Sequence, residues 1–338
     1  MSGLETFLDD GPGETWGVVC REGEPRQIFY AREGDAPANR LGAESVGRVT
    51  ALLPGGGGAF VDLGAGEPFG FLAKGQGTVG QPVRVTVSAE PRAGKGPTLT
   101  LTGKGEGAPR LLKSGPAIPE WLARAAPGVE PETGAAAIEA VREAREAALA
   151  VEVTAGGLNV AIERTRALVA VDLDFAGTPG RDGGKAREAA NRLGLSLAAR
   201  RIALKRWAGL VAIDLIGTSQ PPEPILSAAR NAFPDTGVTF GPLSRFGLLQ
   251  LSLPWRQTPI EEALFGVKGE HARRTRQIDA VRDLRHAVET HRSAPWIGLI
   301  VPDVEVGEMT GLVAGLGPRA RLVGEAGRPH GTYEVRES

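Results

Sequence analysis

Short runs of alternating apolar and polar residues dominate the first hundred positions. Residues 15–32, TWGVVCREGEPRQIFYAR, read as two strands around a Gly/Pro turn at 21–25, an N-terminal hairpin within 15–40. The runs VGRVTALL (46–53), GAFVDLG (58–64), FGFLA (69–73), QPVRVTVSA (81–89) and PTLTLTG (97–103) follow, separated by Gly-rich turns. Five strands this short and this close predict a small barrel over 44–103.

The pattern then changes. Residues 104–134 are rich in Pro, Gly and charge and read as a linker. AAAIEAVREAREAALA (135–150) repeats its apolar positions at helical spacing. Strands are expected at 151–153, 158–164 and 167–174, a basic helix near 184–206, and a strand at 209–217. Strand, helix and strand of these lengths predict a parallel βαβ unit. A helix near 222–232 and a hairpin at 238–253 complete a domain spanning 135–256. A basic helix at 271–292, a strand at 296–301, a helix at 305–316 and a strand at 320–324 make a small α/β tail within 271–338. The expected class is therefore α/β: a barrel near the N-terminus, a mixed-sheet βαβ domain and the tail.

Composition narrows the setting. A chain of 338 residues suits two or three compact units. Its 39 basic and 40 acidic residues cancel, so any nucleic-acid-binding surface must be local. One cysteine, Cys20, allows neither an intrachain disulfide nor a Cys-rich zinc site. The opening MSGLETFLDDGPGETW is acidic with no apolar stretch, and no long apolar run follows, so the expected location is cytoplasmic and no membrane partner is expected.

Candidate chemistry concentrates in three carboxylates. Alternation puts Asp172 and Asp174 on one side of their strand, and Asp214 lies near the carboxyl end of the next parallel strand. Ligands of open α/β sheets gather at that edge, and Mg²⁺ is held by one or two carboxylates plus waters and a phosphate. Acidic residues at strand ends are also commonly solvated or helix-capping, so spacing alone leaves both readings open. Residues 181–206 hold eight basic against two acidic residues, which suits either an RNA-facing helix or a solubilising flank. The glycine runs at 55–58 and 93–96 lack phosphate-loop spacing and read as turns. His271, His286, His291 and His330 lack metal-ligand spacing and read as surface residues, while Cys20 reads as buried packing.

Three blocks in order, ERTRALVAVDLDFAG (163–177), AARRIALKRWAGLVAIDLIG (198–217) and SRFGLLQLS (244–252), resemble the signature blocks of the ribonuclease E/G family. The barrel segments GAFVDLG, Gly70-Phe71-Leu72 and GKGPTLT resemble that family's OB-type RNA-binding barrel. The resemblance covers residues 15 to 256 and implies that Asp172 and Asp214 bind Mg²⁺, with Mn²⁺ as a substitute. It places Asp174 where larger members carry an asparagine that positions the phosphate, and it makes Arg245 a phosphate-steadying donor. Phe60 and Phe71 would stack RNA bases and Lys95 would contact the backbone; alternation in a small barrel alone would equally allow core phenylalanines.

Two family features have no counterpart. Only 68 residues separate Gly103 from Asp172, too few for the 5′-end sensor insertion, so 5′-monophosphate dependence is not expected. The stretch 259–274 has no cysteine, so neither zinc nor a zinc-linked dimer is expected, and the oligomeric state stays open. The resemblance thus implies an endoribonuclease cutting single-stranded RNA to 3′-hydroxyl and 5′-phosphate ends. A non-catalytic RNA-binding protein on the same scaffold is the alternative, and a DNA-directed nuclease is a third reading.

Overall fold

The computed structural model describes residues 3–73, 77–176, 183–217 and 222–338. It divides into two compact units: one combines residues 1–145 with 261–338, the other holds residues 146–260.

In the first unit, strands β1 (Leu4–Gly11), β2 (Glu14–Arg21) and β3 (Glu24–Arg32) form an antiparallel sheet in chain order. The hairpin expected at 15–40 is β2–β3, and β1 adds a third strand to it. Strands β4 (Glu44–Leu52), β5 (Ala59–Asp62), β6 (Gly70–Leu72), β7 (Pro82–Ala89) and β8 (Thr98–Lys104) then close a five-stranded barrel in the order β4-β5-β6-β8-β7-β4. All pairings in the ring are antiparallel except β6 with β8. Alternation drives closure: Ala59, Val61, Leu72, Val83, Val85, Val87 and Leu99 turn inward and are buried together.

The stretch expected as a linker is structured. Strand β9 (Arg110–Lys113) pairs with β4, and helix α1 (Ile118–Ala125) buries Ile118 and Leu122 with Val19 and Phe29. Proline and glycine here mark the ends of elements. Helix α2 (Ala135–Leu149) follows.

The second unit is built on one mixed sheet. It comprises β10 (Glu152–Ala155), β11 (Leu158–Arg164), β12 (Val169–Phe175), β13 (Gly209–Asp214), β14 (Thr239–Phe240) and β15 (Leu248–Leu253), ordered β10-β11-β12-β13-β15-β14. Only β12 and β13 run parallel, and helix α3 (Gly183–Lys205) lies between them in the chain. Helices α3 and α4 (Pro222–Ala232) pack against each other, and α3 covers one face of the sheet. Val169, Val171, Leu173, Val211, Ile213, Leu249 and Leu251 meet Leu195, Ala198, Ile202, Ile225 and Ala229 in its core. At Gly194 a Cβ would lie 2.7 Å from Leu173 Cδ1, so the helix approaches the sheet as closely as a glycine permits.

The C-terminal third returns to the first unit. Helices α5 (Ile260–Phe265), α6 (Ala272–Thr290) and α7 (Val306–Val313) accompany a sheet in which β16 (Ile297–Pro302) lies between β17 (Ala320–Glu325) and β18 (Glu334–Glu337). The small α/β tail expected at 271–338 thus groups with the N-terminal residues. The physical reason is a charge network: Arg282 donates to Asp9 over 2.9 Å, to Asp279 over 2.7 Å and to Glu14. Arg285 reaches Asp9 over 2.6 Å, and Arg145 reaches Asp279 over 2.5 Å. Charges this buried must be neutralised locally, which fixes α6 against β1 and β2.

Candidate functional site

Strand register brings the two principal carboxylates together. Asp172 on β12 is the direct neighbour of Asp214 on parallel β13. Both are exposed and alternate with Val171, Leu173 and Ile213, which are buried under the helices. Neighbours in register share a face across a strand spacing of about 4.8 Å, so the two carboxylates stand side by side on the uncovered face. Asp174 shares that face one pleat further on, opposite Asn159 of β11.

Arg245 lies at the same end of the sheet. Strand β15 starts at Leu248, the register partner of Asp214, and the turn preceding it carries Arg245. Ser244 builds that turn: its N–H donates to Leu248 O over 3.0 Å, and its Oγ accepts from the N–H groups of Phe246 and Leu248. The Arg245 guanidinium stands 4.9 Å from the Phe246 ring centre.

A residue outside the sequence reading supports Asp214. Asn191 of α3 is buried; its Nδ2 donates to Ile216 O over 3.1 Å, and its Oδ1 accepts from Ile216 N–H over 2.9 Å. This two-point clamp fixes the chain two residues beyond Asp214. The only signal in the sequence is a polar residue among the buried positions of a helix.

The donor set fits a hard cation. Mg²⁺ takes one or two carboxylates and retains several waters, and an exposed carboxylate pair offers that. Among the described residues no group of three or more His, Cys, Asp or Glu side chains gathers as a ready-made metal cage.

Part of the basic stretch is engaged by backbone carbonyls. Lys205 is buried and donates to the carbonyls of Ala148 and Ala150 over 2.9 and 2.6 Å, while Arg201 donates to Ala147 O over 2.7 Å. These cations cap the C-terminal end of α2, where carbonyls lack intrahelical donors. Arg206 is also buried and reaches Thr258 O over 3.5 Å. Exposed positive charge remains at Lys185, Arg187 and Arg192, the last paired with Glu188 over 2.7 Å; Arg181 and Asp182 lie outside the described residues. The groove between α3 and α4, lined by Arg192, Ser196, Ser227 and Asn231, is on the helical side of the sheet.

On the barrel, Phe60 and Phe71 are cross-strand neighbours with ring centres 5.7 Å apart. Phe60 is 36% exposed and Phe71 half-buried, whereas Ala59 and Val61 fill the interior, so the pair belongs to the outer wall. Gly58 makes room for it: at φ +132° a Cβ there would meet Phe71 Cζ at 2.6 Å. Lys95 is exposed in a tight turn closed by reciprocal hydrogen bonds with Arg92, three residues before Thr98, the neighbour of Phe71 on β8. Cys20 is buried, and burial together with nearby Glu5, Glu143 and Glu24 pushes its thiol up to about 11. Three of the four histidines face carboxylates, His286 meeting Glu139 over 2.9 Å, His291 meeting Glu337 and His330 approaching Glu305 at 3.9 Å, and His271 stands just before α6.

No protein-family model and no curated protein matches the chain.

Proposed function

We propose that this chain is a cytoplasmic, Mg²⁺-dependent endoribonuclease of the ribonuclease E/G type, which hydrolyses single-stranded RNA to 3′-hydroxyl and 5′-phosphate ends. The observation that carries the reading is the side-by-side register of exposed Asp172 and Asp214 on parallel strands, with Arg245 at the same sheet end. The closed strand order, with its parallel β6–β8 pair, supports an OB-type barrel, and the β12–α3–β13 connection supports a βαβ catalytic domain.

Each residue then has a role. Asp172 and Asp214 would hold Mg²⁺, which when bound supplies a Lewis acid at the phosphoryl oxygen and lowers the pKa of water. Arg245 would bind the scissile phosphate as a planar, bidentate donor. Asp174, on the same face, would accept a hydrogen bond from the attacking water and orient it. Phe60 and Phe71 would stack bases irrespective of sequence, at about 1–3 kcal/mol per base, and Lys95 would contact the backbone. Zinc has no part in this scheme, and neither does a 5′-monophosphate sensor.

The test is incubation of labelled single-stranded RNA and DNA with the purified protein, with and without Mg²⁺. RNA should be cut only with the metal, and Asp172→Asn should abolish cutting while leaving RNA retention nearly unchanged. Full cleavage by that variant would remove the assignment. The exposed Phe60–Phe71 pair favours a second reading, a non-catalytic RNA-binding protein, because it needs no carboxylates. That reading expects retention of RNA with no turnover at any Mg²⁺ or Mn²⁺ concentration, and cleavage of DNA as readily as RNA would point to the third.

A further inference from the structure

The turn that carries Arg245 also presents Phe246, which is 68% exposed. Isolated exposed apolar residues are ordinary on protein surfaces. Three features set this one apart. Its backbone is pinned, since Phe246 N–H donates to Ser244 Oγ over 3.2 Å, Gly247 N–H donates to Ser244 O over 3.0 Å, and Gly247 takes the φ of +83° that closes the turn. A cation stands 4.9 Å from the ring centre, and among the described residues no carboxylate pairs with it. The turn opens directly into Leu248, the neighbour of Asp214, which is itself the neighbour of Asp172.

A rigid aromatic face, a guanidinium and a carboxylate pair at one sheet end match the parts of a nucleotide: a flat apolar base, a phosphate anion and a site for a divalent cation. An arginine above the ring leaves the other ring face for a base, and it strengthens the platform by cation–π attraction. We infer that Phe246 is a base-stacking subsite beside the carboxylate pair, holding the nucleobase next to the phosphate bound by Arg245. It fits an unpaired base of any identity, because stacking needs only a π face. The inference rests on the RNA-cleaving reading for its ligand class and deepens it by naming what grips the substrate at the cut.

The experiment uses the full chain in chelator, so that binding is read without turnover. Oligouridylates carrying one 2-aminopurine at successive positions report stacking as loss of emission. In the wild type at least one position should be quenched, and Phe246→Ala and Phe246→Leu should both restore emission there and weaken binding about ten-fold. Phe246→Tyr should keep both. The leucine variant retains apolar bulk without a π face, so a loss shared with alanine marks stacking. Quenching and affinity unchanged from the wild type in the alanine and leucine variants would overturn the inference. So would a change in oligomeric state with RNA binding unaltered, because Phe246 would then serve a protein contact. A wild type that shows the Phe246-dependent quench but never cleaves with Mg²⁺ would sink the nuclease reading and leave the subsite standing.

Discussion

Asn191 acts on the site only through the backbone it holds. Both polar ends of its amide are satisfied by Ile216, so replacing it with leucine leaves the partly buried N–H and C=O of Ile216 without this partner. Asn191→Leu should cost about 1–3 kcal/mol in urea unfolding. In the proposed nuclease it should also lower kcat more than it raises KM, because the position of Asp214 changes while the residues proposed to bind RNA do not. Equal activity with lowered stability would reduce the clamp to a folding role. The carboxylates were legible because alternation alone places Asp172 and Asp174 on one face and Asp214 at the next strand end. Asn191 was not, since its partner lies 25 residues away and only the packing of α3 brings them together. The outward Phe60–Phe71 pair stood between: alternation sets each ring opposite its neighbours on its own strand, but that the two share a face, and that it is the outer one, is settled by the strand register and by closure around Ala59 and Val61.

Regular elements with strong periodicity follow the sequence closely, and the departures have local causes. Strand β9 has four exposed residues and no alternation to betray it; it exists because β4 offers an unpaired edge at Glu44–Val46. Helix α1 hides behind a proline at its second position, a place where proline suits a helix start. The basic helix α3 shows the limit of counting charge, because a row of arginines and lysines reads the same whether it faces phosphate or the carbonyls of a helix end. Lys205→Met should therefore destabilise the fold by about 1–3 kcal/mol, since two carbonyls lose their donor. The salt dependence of the proposed RNA binding should be unchanged, and a shallower slope of log affinity against log salt would place Lys205 on the RNA instead.

At the scale of the molecule, the Asp9, Glu14, Arg145, Asp279, Arg282 and Arg285 network governs the first unit. Removing its central cation leaves the buried carboxylates of Asp9 and Glu14 with one cation each, Arg285 and Arg32, so Arg282→Met should cost about 3 kcal/mol of stability, read by urea denaturation. Glu14 makes the network sensitive to acid. Burial opposes its ionisation, but the charge of Arg282 and hydrogen bonds from Trp16 and Arg282 outweigh burial and hold its carboxyl below the usual value. A carboxyl whose pKa falls on folding contributes stability that is complete above its unfolded pKa and is lost as pH drops through the folded value. Stability should fall steeply below about pH 4, and Glu14→Gln should flatten that acid limb; an unchanged limb would exclude Glu14 as its source. By itself the sequence determined the strongly periodic elements and which residues within one element share a face, because hydrophobic period is a property of neighbouring residues. It determined the five barrel strands and the edge where the aspartates stand. Only tertiary structure decided which distant segments share a unit, which cations are consumed by carbonyls and carboxylates, and which aromatic rings face outward. Those outcomes depend on pairing between residues far apart in the chain, and burial forces each charge to find its partner wherever packing brings one within reach.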